Sequence, residues 1–125
     1  MKIKHFLRII FAGALIALVT ACATTTSTAP GPLVGTWTNS LGAVWTVKAD
    51  GTFDVVNPQR HIVGTCTVSG DTVTIQETGG KSAKGCEGPG VYNFRRPDEN
   101  TLAFTLVSDT CKERKKNVLL AWHRK

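Results

Sequence analysis

From Leu33 onward, apolar residues recur at every second position in short runs, and most runs stop at a turn signal. Trp45, Val47 and Ala49 alternate with Thr46 and Lys48, and Asp50-Gly51 leads into Thr52-Phe53-Asp54-Val55. Asp-Gly between two alternating runs predicts a tight hairpin, because both residues tolerate positive φ. Cys66 and Val68 alternate with Thr65, Thr67 and Ser69, and Gly70-Asp71 turns the chain into Thr72-Val73-Thr74-Ile75. Tyr92 and Phe94 alternate with Asn93 and Arg95, and Pro97-Asp98-Glu99-Asn100 precedes Leu102, Phe104 and Leu106. A last run, Val118 to Arg124, places Leu120, Trp122 and Arg124 on one face, and only residues 109–117 leave room for a helical turn.

With a first strand entered at Gly35, the pattern predicts about eight short strands joined mostly by hairpins. A sandwich and an up-and-down barrel both satisfy that count. Sequential hairpins favour the barrel, since closure removes exposed strand edges. The predicted fold is therefore all-β: a small eight-stranded antiparallel up-and-down barrel spanning residues 33–125. Strands this short enclose an interior nearly filled by about fifteen inward side chains.

The first 32 residues follow a different pattern. Lys2, Lys4 and Arg8 precede an uncharged apolar run, Ile9 to Val19, which ends in Thr20-Ala21-Cys22. A positive start, a short apolar core and small residues before a cleavage point describe a secretory signal. The run is too short for the roughly 20 residues a membrane-spanning helix needs. Residues 23–32 contain no large apolar side chain. Nothing there offsets the entropy of ordering the chain, and ten flexible residues reach about 17 Å.

Val19-Thr20-Ala21-Cys22 resembles the lipobox of bacterial lipoproteins. That resemblance implies removal of residues 1–21 and a lipid on Cys22, with palmitate-type acyl chains holding the protein to a membrane. Residues 22–32 are then the lipidated cysteine and its tether. In such lipoproteins an aspartate after the cysteine commonly retains the protein at the inner membrane. Ala23 therefore implies the outer membrane, facing the periplasm, in a cell with two membranes.

Removal of the signal changes the charge. The whole chain carries +6, with 15 basic and nine acidic residues. Residues 1–21 hold three of the basic residues and none of the acidic ones, which leaves 12 against nine, or +3. Lys112, Arg114, Lys115 and Lys116 form one basic cluster, with Lys81 and Lys84 in a separate loop. Such a run reads as a solvated surface or as a contact for anionic headgroups or another polyanion. No nucleic-acid partner is expected for an exported, anchored protein, and a monomer is expected.

With Cys22 lipidated, Cys66, Cys86 and Cys111 remain in an oxidising compartment. Loop entropy separates the three possible pairings by less than about 1 kcal/mol. Placement decides instead. Cys66 occupies an inward strand position, where a reduced cysteine packs well. Cys86 and Cys111 both lie in turn-rich segments outside strands, so the expected disulfide is Cys86–Cys111.

Gly35-Thr36-Trp37, at the entry to the first strand, resembles the Gly-x-Trp signature of lipocalins and the wider calycin group. The chain is similar to small bacterial lipocalin-like lipoproteins over nearly all of residues 33–125, and is much shorter than true lipocalins. The resemblance implies an eight-stranded barrel closed at one end by Trp37. It also implies an arginine over that ring, and Arg124 is the candidate. Gly35 to Gly42 followed by Ala49-Asp50-Gly51 also resembles the first hairpin of avidin-type biotin binders, with Asn39 at a ureido-oxygen donor position. Ala43 stands where that family needs a hydroxyl, and the later tryptophans are missing. The match is one of barrel architecture, and no biotin is expected.

No catalytic constellation stands out. Nucleophilic catalysis needs a base beside the nucleophile and a group to orient it. His61 stands beside Arg60 and His123 on the face opposite Trp122, and no acid pair is placed for proton transfer. No metal-ligand spacing is present, so no metal, cofactor or enzymatic activity is expected. Two functional readings follow. A small apolar ligand could enter the barrel mouth near Trp45 and Tyr92, in a cavity of roughly 300 Å³ or more. Alternatively, the Gly79–Gly90 loop and the 112–116 segment serve protein contacts, as a structural envelope component or an inhibitor of an exported enzyme.

Overall fold

The computed structural model describes residues 29–125; residues 1–28, with the expected signal and the expected lipidation at Cys22, lie outside the described residues. The chain forms a closed antiparallel barrel in strict sequence order. Its strands are β1 (Gly35–Thr38), β2 (Val44–Val47), β3 (Thr52–Val56), β4 (His61–Ser69), β5 (Thr72–Gly80), β6 (Gly90–Asp98), β7 (Thr101–Ser108) and β8 (Trp122–Arg124). One helix, α1 (Lys112–Val118), lies between β7 and β8. The eight predicted strands are present and closure is complete. No helix among the described residues is long and apolar enough to cross a membrane.

Period-two alternation does what the pattern requires. Gly64, Cys66 and Val68 of β4 are buried between exposed neighbours, as are Val73 and Ile75 between half-buried ones in β5. Fifteen buried residues form one core, centred on Trp45, Tyr92, Phe104 and Trp122. Trp45 packs on Trp122, Phe104 and Phe53 at ring separations of 5.4, 5.9 and 6.2 Å. Such tilted and edge-on aromatic pairs add stability beyond their buried area.

Three local expectations change. Gly51 alone takes positive φ in the β2–β3 turn, at +89°. Asp50 instead accepts hydrogen bonds from the Thr52 N–H at 2.9 Å and the Thr52 hydroxyl at 2.6 Å. The last strand is only three residues long, because Val118 ends α1, and Trp122 Nε1 donates to the Val118 carbonyl at 3.2 Å. At the other end, Pro30 is buried and Gly31–Leu33 form a 3-10 turn, so packing begins ahead of Leu33.

The two ends of the barrel differ. The Leu33 entry, the 48–51 and 70–71 turns and Arg124 mark a closed end. Trp37 is fully buried there, donating from Nε1 to the Leu33 carbonyl at 2.9 Å. The Arg124 guanidinium lies 4.4 Å above its ring centre, a cation–π contact. Gly35 makes that approach possible: its φ is +141°, and a Cβ would stand 2.7 Å from Arg124 Nη1. The 39–42, 57–60 and 81–89 loops and α1 gather at the opposite, open end.

A second glycine shapes the wall. The β4–β5 register shifts between Val63 and Gly64, and the Phe53 ring lies over Gly64. A Cβ at Gly64 would meet Phe53 Cζ at 2.7 Å and overlap the Gln76 carbonyl. Gly64→Ala is therefore expected to cost about 1–3 kcal/mol through forced repacking. Denaturant unfolding should show a lower midpoint at unchanged slope.

Candidate functional site

Above Ile75, β5 and β6 part: their pairing runs only from Thr72 to Ile75. The 81–89 loop and α1 bridge this gap. There lies a cavity of about 230 Å³ that opens at the end away from the N-terminal entry. Trp45, Phe53, Ile75 and Trp122, all buried, form its floor. Leu41, Pro58, Gln59 and Lys116 form an exposed rim.

One wall is a buried charge network. Arg114, expected in the solvated basic cluster, is instead only 8 % exposed. Its Nε and Nη2 donate to the two Asp109 oxygens at 2.7 Å each, a bidentate pair. Its Nη1 reaches Glu77 at 3.2 Å and its Nη2 the Gly88 carbonyl at 2.8 Å. Asp109 also accepts from the Tyr92 hydroxyl and, at 2.8 Å, from the Cys111 N–H. Two carboxylates thus face one guanidinium across β5, the 81–89 loop and the start of α1. Burial opposes ionisation of Asp109, but the Arg114, Tyr92 and Cys111 bonds outweigh it and hold its pKa below the usual carboxylate value. For Glu77 burial dominates and raises the pKa. Burial and the Asp109 bond together push the Tyr92 phenol upward.

Of the two expected ligand-contact residues, Trp45 lines the cavity and Tyr92 does not. Tyr92 is fully buried, with its hydroxyl committed to Asp109. The cavity is also smaller than the 300 Å³ expected. Cys86 and Cys111 come to disulfide distance, with Cα atoms 4.5 Å apart, and both line the cavity beside Glu77. Cys66 is buried and unpaired opposite Ile75, and burial pushes its thiol up to about 11. Glu77, Cys86 and Cys111 are within 4.8 Å of one another, but the sulfur pair bonds to itself and offers no thiolate to a metal.

Asn39, at the biotin-donor position of the avidin comparison, works as a turn brace. Its Oδ1 accepts from the Leu41 and Ala43 N–H groups at 3.0 and 3.2 Å, and its Nδ2 donates to Asn117 Oδ1 of α1 at 3.3 Å. His61 begins β4 at the surface, 3.6 Å from Asp54, and His123 is exposed on β8. Neither faces the cavity. The residues that sequence reasoning missed are Asp109, Arg114 and Glu77. Their one local signal was the clustering of Asp109, Cys111 and Arg114 at the start of a helix. No protein-family model matches this chain, and comparisons with curated proteins and with solved structures return no match.

Proposed function

We propose that this protein is a membrane-anchored envelope lipoprotein whose lipocalin-like barrel binds a small apolar ligand in its open end. The aromatic-floored cavity is the observation that carries this reading. A dry apolar cavity of roughly 150 Å³ can hold benzene, so about 230 Å³ suits a substituted single ring or a short branched chain. The lipid on Cys22 supplies the anchor, and the tether enters the barrel at the end opposite the cavity. The mouth then faces away from the membrane that holds the protein.

Ethylbenzene is a suitable first probe. Saturable one-to-one binding is expected, with a rise in thermal midpoint as ligand is added. Ile62→Trp, which places a large ring in the cavity wall, should abolish both. An absence of saturable binding, or binding indifferent to Ile62→Trp, would overturn the reading.

A charge asymmetry favours a second reading, contact with an acidic protein. At the open end Arg60, Lys81, Lys84, Lys112, Arg114, Lys115 and Lys116 face only Glu77, Glu87, Asp109 and Glu113. The remaining five basic and five acidic residues of 22–125 cancel, so the whole excess of +3 sits around the mouth. Binding of this kind would weaken steeply with added salt, whereas ethylbenzene binding would not.

A further inference from the structure

Among the described residues, three indole N–H groups are present and two are satisfied. Trp37 Nε1 donates to the Leu33 carbonyl at 2.9 Å and Trp122 Nε1 to the Val118 carbonyl at 3.2 Å. Trp45 Nε1 is buried without an acceptor among the described residues. A buried donor left unpaired costs about 1–3 kcal/mol, and the great majority of such groups in folded proteins are paired. The residue is only 3 % exposed, and it belongs to the cavity floor. A molecule seated in the cavity against that ring can supply the acceptor with a small shift of the ring's packing.

We infer that Trp45 Nε1 is a ligand-recognition donor, and that the cavity takes small apolar molecules carrying one neutral oxygen acceptor, such as a ketone, ester or ether. This inference rests on the cavity being a ligand site, as proposed above. The acceptor is neutral for an electrostatic reason. Arg114, the buried guanidinium of the wall, already donates to Asp109, Glu77 and the Gly88 carbonyl. Arg60 lies near the rim with its Nη1 on the Lys81 carbonyl. A carboxylate buried against the apolar floor would lose its hydration without gaining a free cation. A carbonyl oxygen pays far less desolvation and gains the waiting N–H.

Acetophenone and ethylbenzene have nearly the same shape and differ by one carbonyl oxygen. Both are titrated into the full chain, with affinity and the three indole N–H signals followed by NMR. Acetophenone is expected to bind roughly three- to tenfold more tightly, the worth of one net hydrogen bond. Only one indole signal should move, and it should be the one missing from Trp45→Phe, in which the preference disappears. Equal affinity for the two probes with the Trp45 signal unmoved would overturn the inference and leave the cavity reading standing. Failure of both probes to bind would overturn both. Should Trp45→Phe not fold, the comparison of the two probes on the unaltered chain still decides.

Discussion

Asp109→Ala is expected to lower folding stability by about 3–5 kcal/mol, the range for breaking a buried ion pair from one side. The loss exceeds the worth of the pair itself. Arg114 and the Tyr92 hydroxyl would remain buried with donors unmet, and the Cys111 N–H would lose its acceptor at the start of α1. Arg114→Met in the same background should recover part of the loss, because it removes the stranded charge. Denaturant midpoints of the single and double variants measure this. An Asp109→Ala midpoint close to that of the unaltered protein would show that the network carries no net stabilisation.

The same pair sets a pH dependence. The folded pKa of Asp109 lies below its unfolded value. Its contribution is therefore complete above the usual carboxylate value of about 3.9 and is lost as pH falls through the lower folded value. The gap between the unaltered protein and Asp109→Ala should thus be constant near neutrality and close in strong acid. Glu77 runs the other way. Its folded pKa is raised, so its contribution is present in acid and lost as pH rises through the raised value.

Removing both Cys86 and Cys111 as alanines is expected to cost about 3.5 kcal/mol, from the entropy released when a loop of this length is no longer closed. The two cysteines are 25 positions apart in sequence. A further loss follows at the helix start, where Cys111 Sγ accepts from the Arg114 N–H at 3.3 Å. Because the 81–89 loop is otherwise tied down chiefly through Gly88 and Glu87, it should also lose protection from hydrogen exchange. Thermal unfolding with and without a reductant should show the same deficit in the unaltered protein. An unchanged midpoint on reduction would mean that the barrel alone sets stability.

For a cup of this design, the two losses act on one place. The disulfide and the Asp109–Arg114 pair both hold α1 and the 81–89 loop over the gap between β5 and β6. The cavity exists because these pieces bridge the gap without filling it. Weakening either should therefore loosen the mouth while the closed end, built on Trp37 and Arg124, stays intact.

Strand number, order and closure were legible in the sequence, because side-chain alternation and hairpin turns are local properties. The inward place of Cys66 and the Cys86–Cys111 pairing were legible for the same reason, from strand parity and from position in a turn. The Trp37–Arg124 contact was legible only through the resemblance of Gly35-Thr36-Trp37 to the lipocalin signature. Parity says whether a residue points inward, but not at what height along the barrel. Trp45 and Tyr92 are both inward, yet Trp45 floors the cavity while Tyr92 is sealed into the wall. Height depends on strand stagger, which arises from long-range register and from the shift at Gly64. Arg114 shows the same limit from the polar side. Its neighbours Lys112, Lys115 and Lys116 made it look solvated, and only the splayed strands and the arrival of Glu77 and Asp109 bury it. Val118 was given to a strand by its apolar character, but the helix that caps the open end takes it up. The amino-acid pattern thus determined an eight-stranded closed barrel, whereas the cavity and its charged wall arose only where distant segments meet.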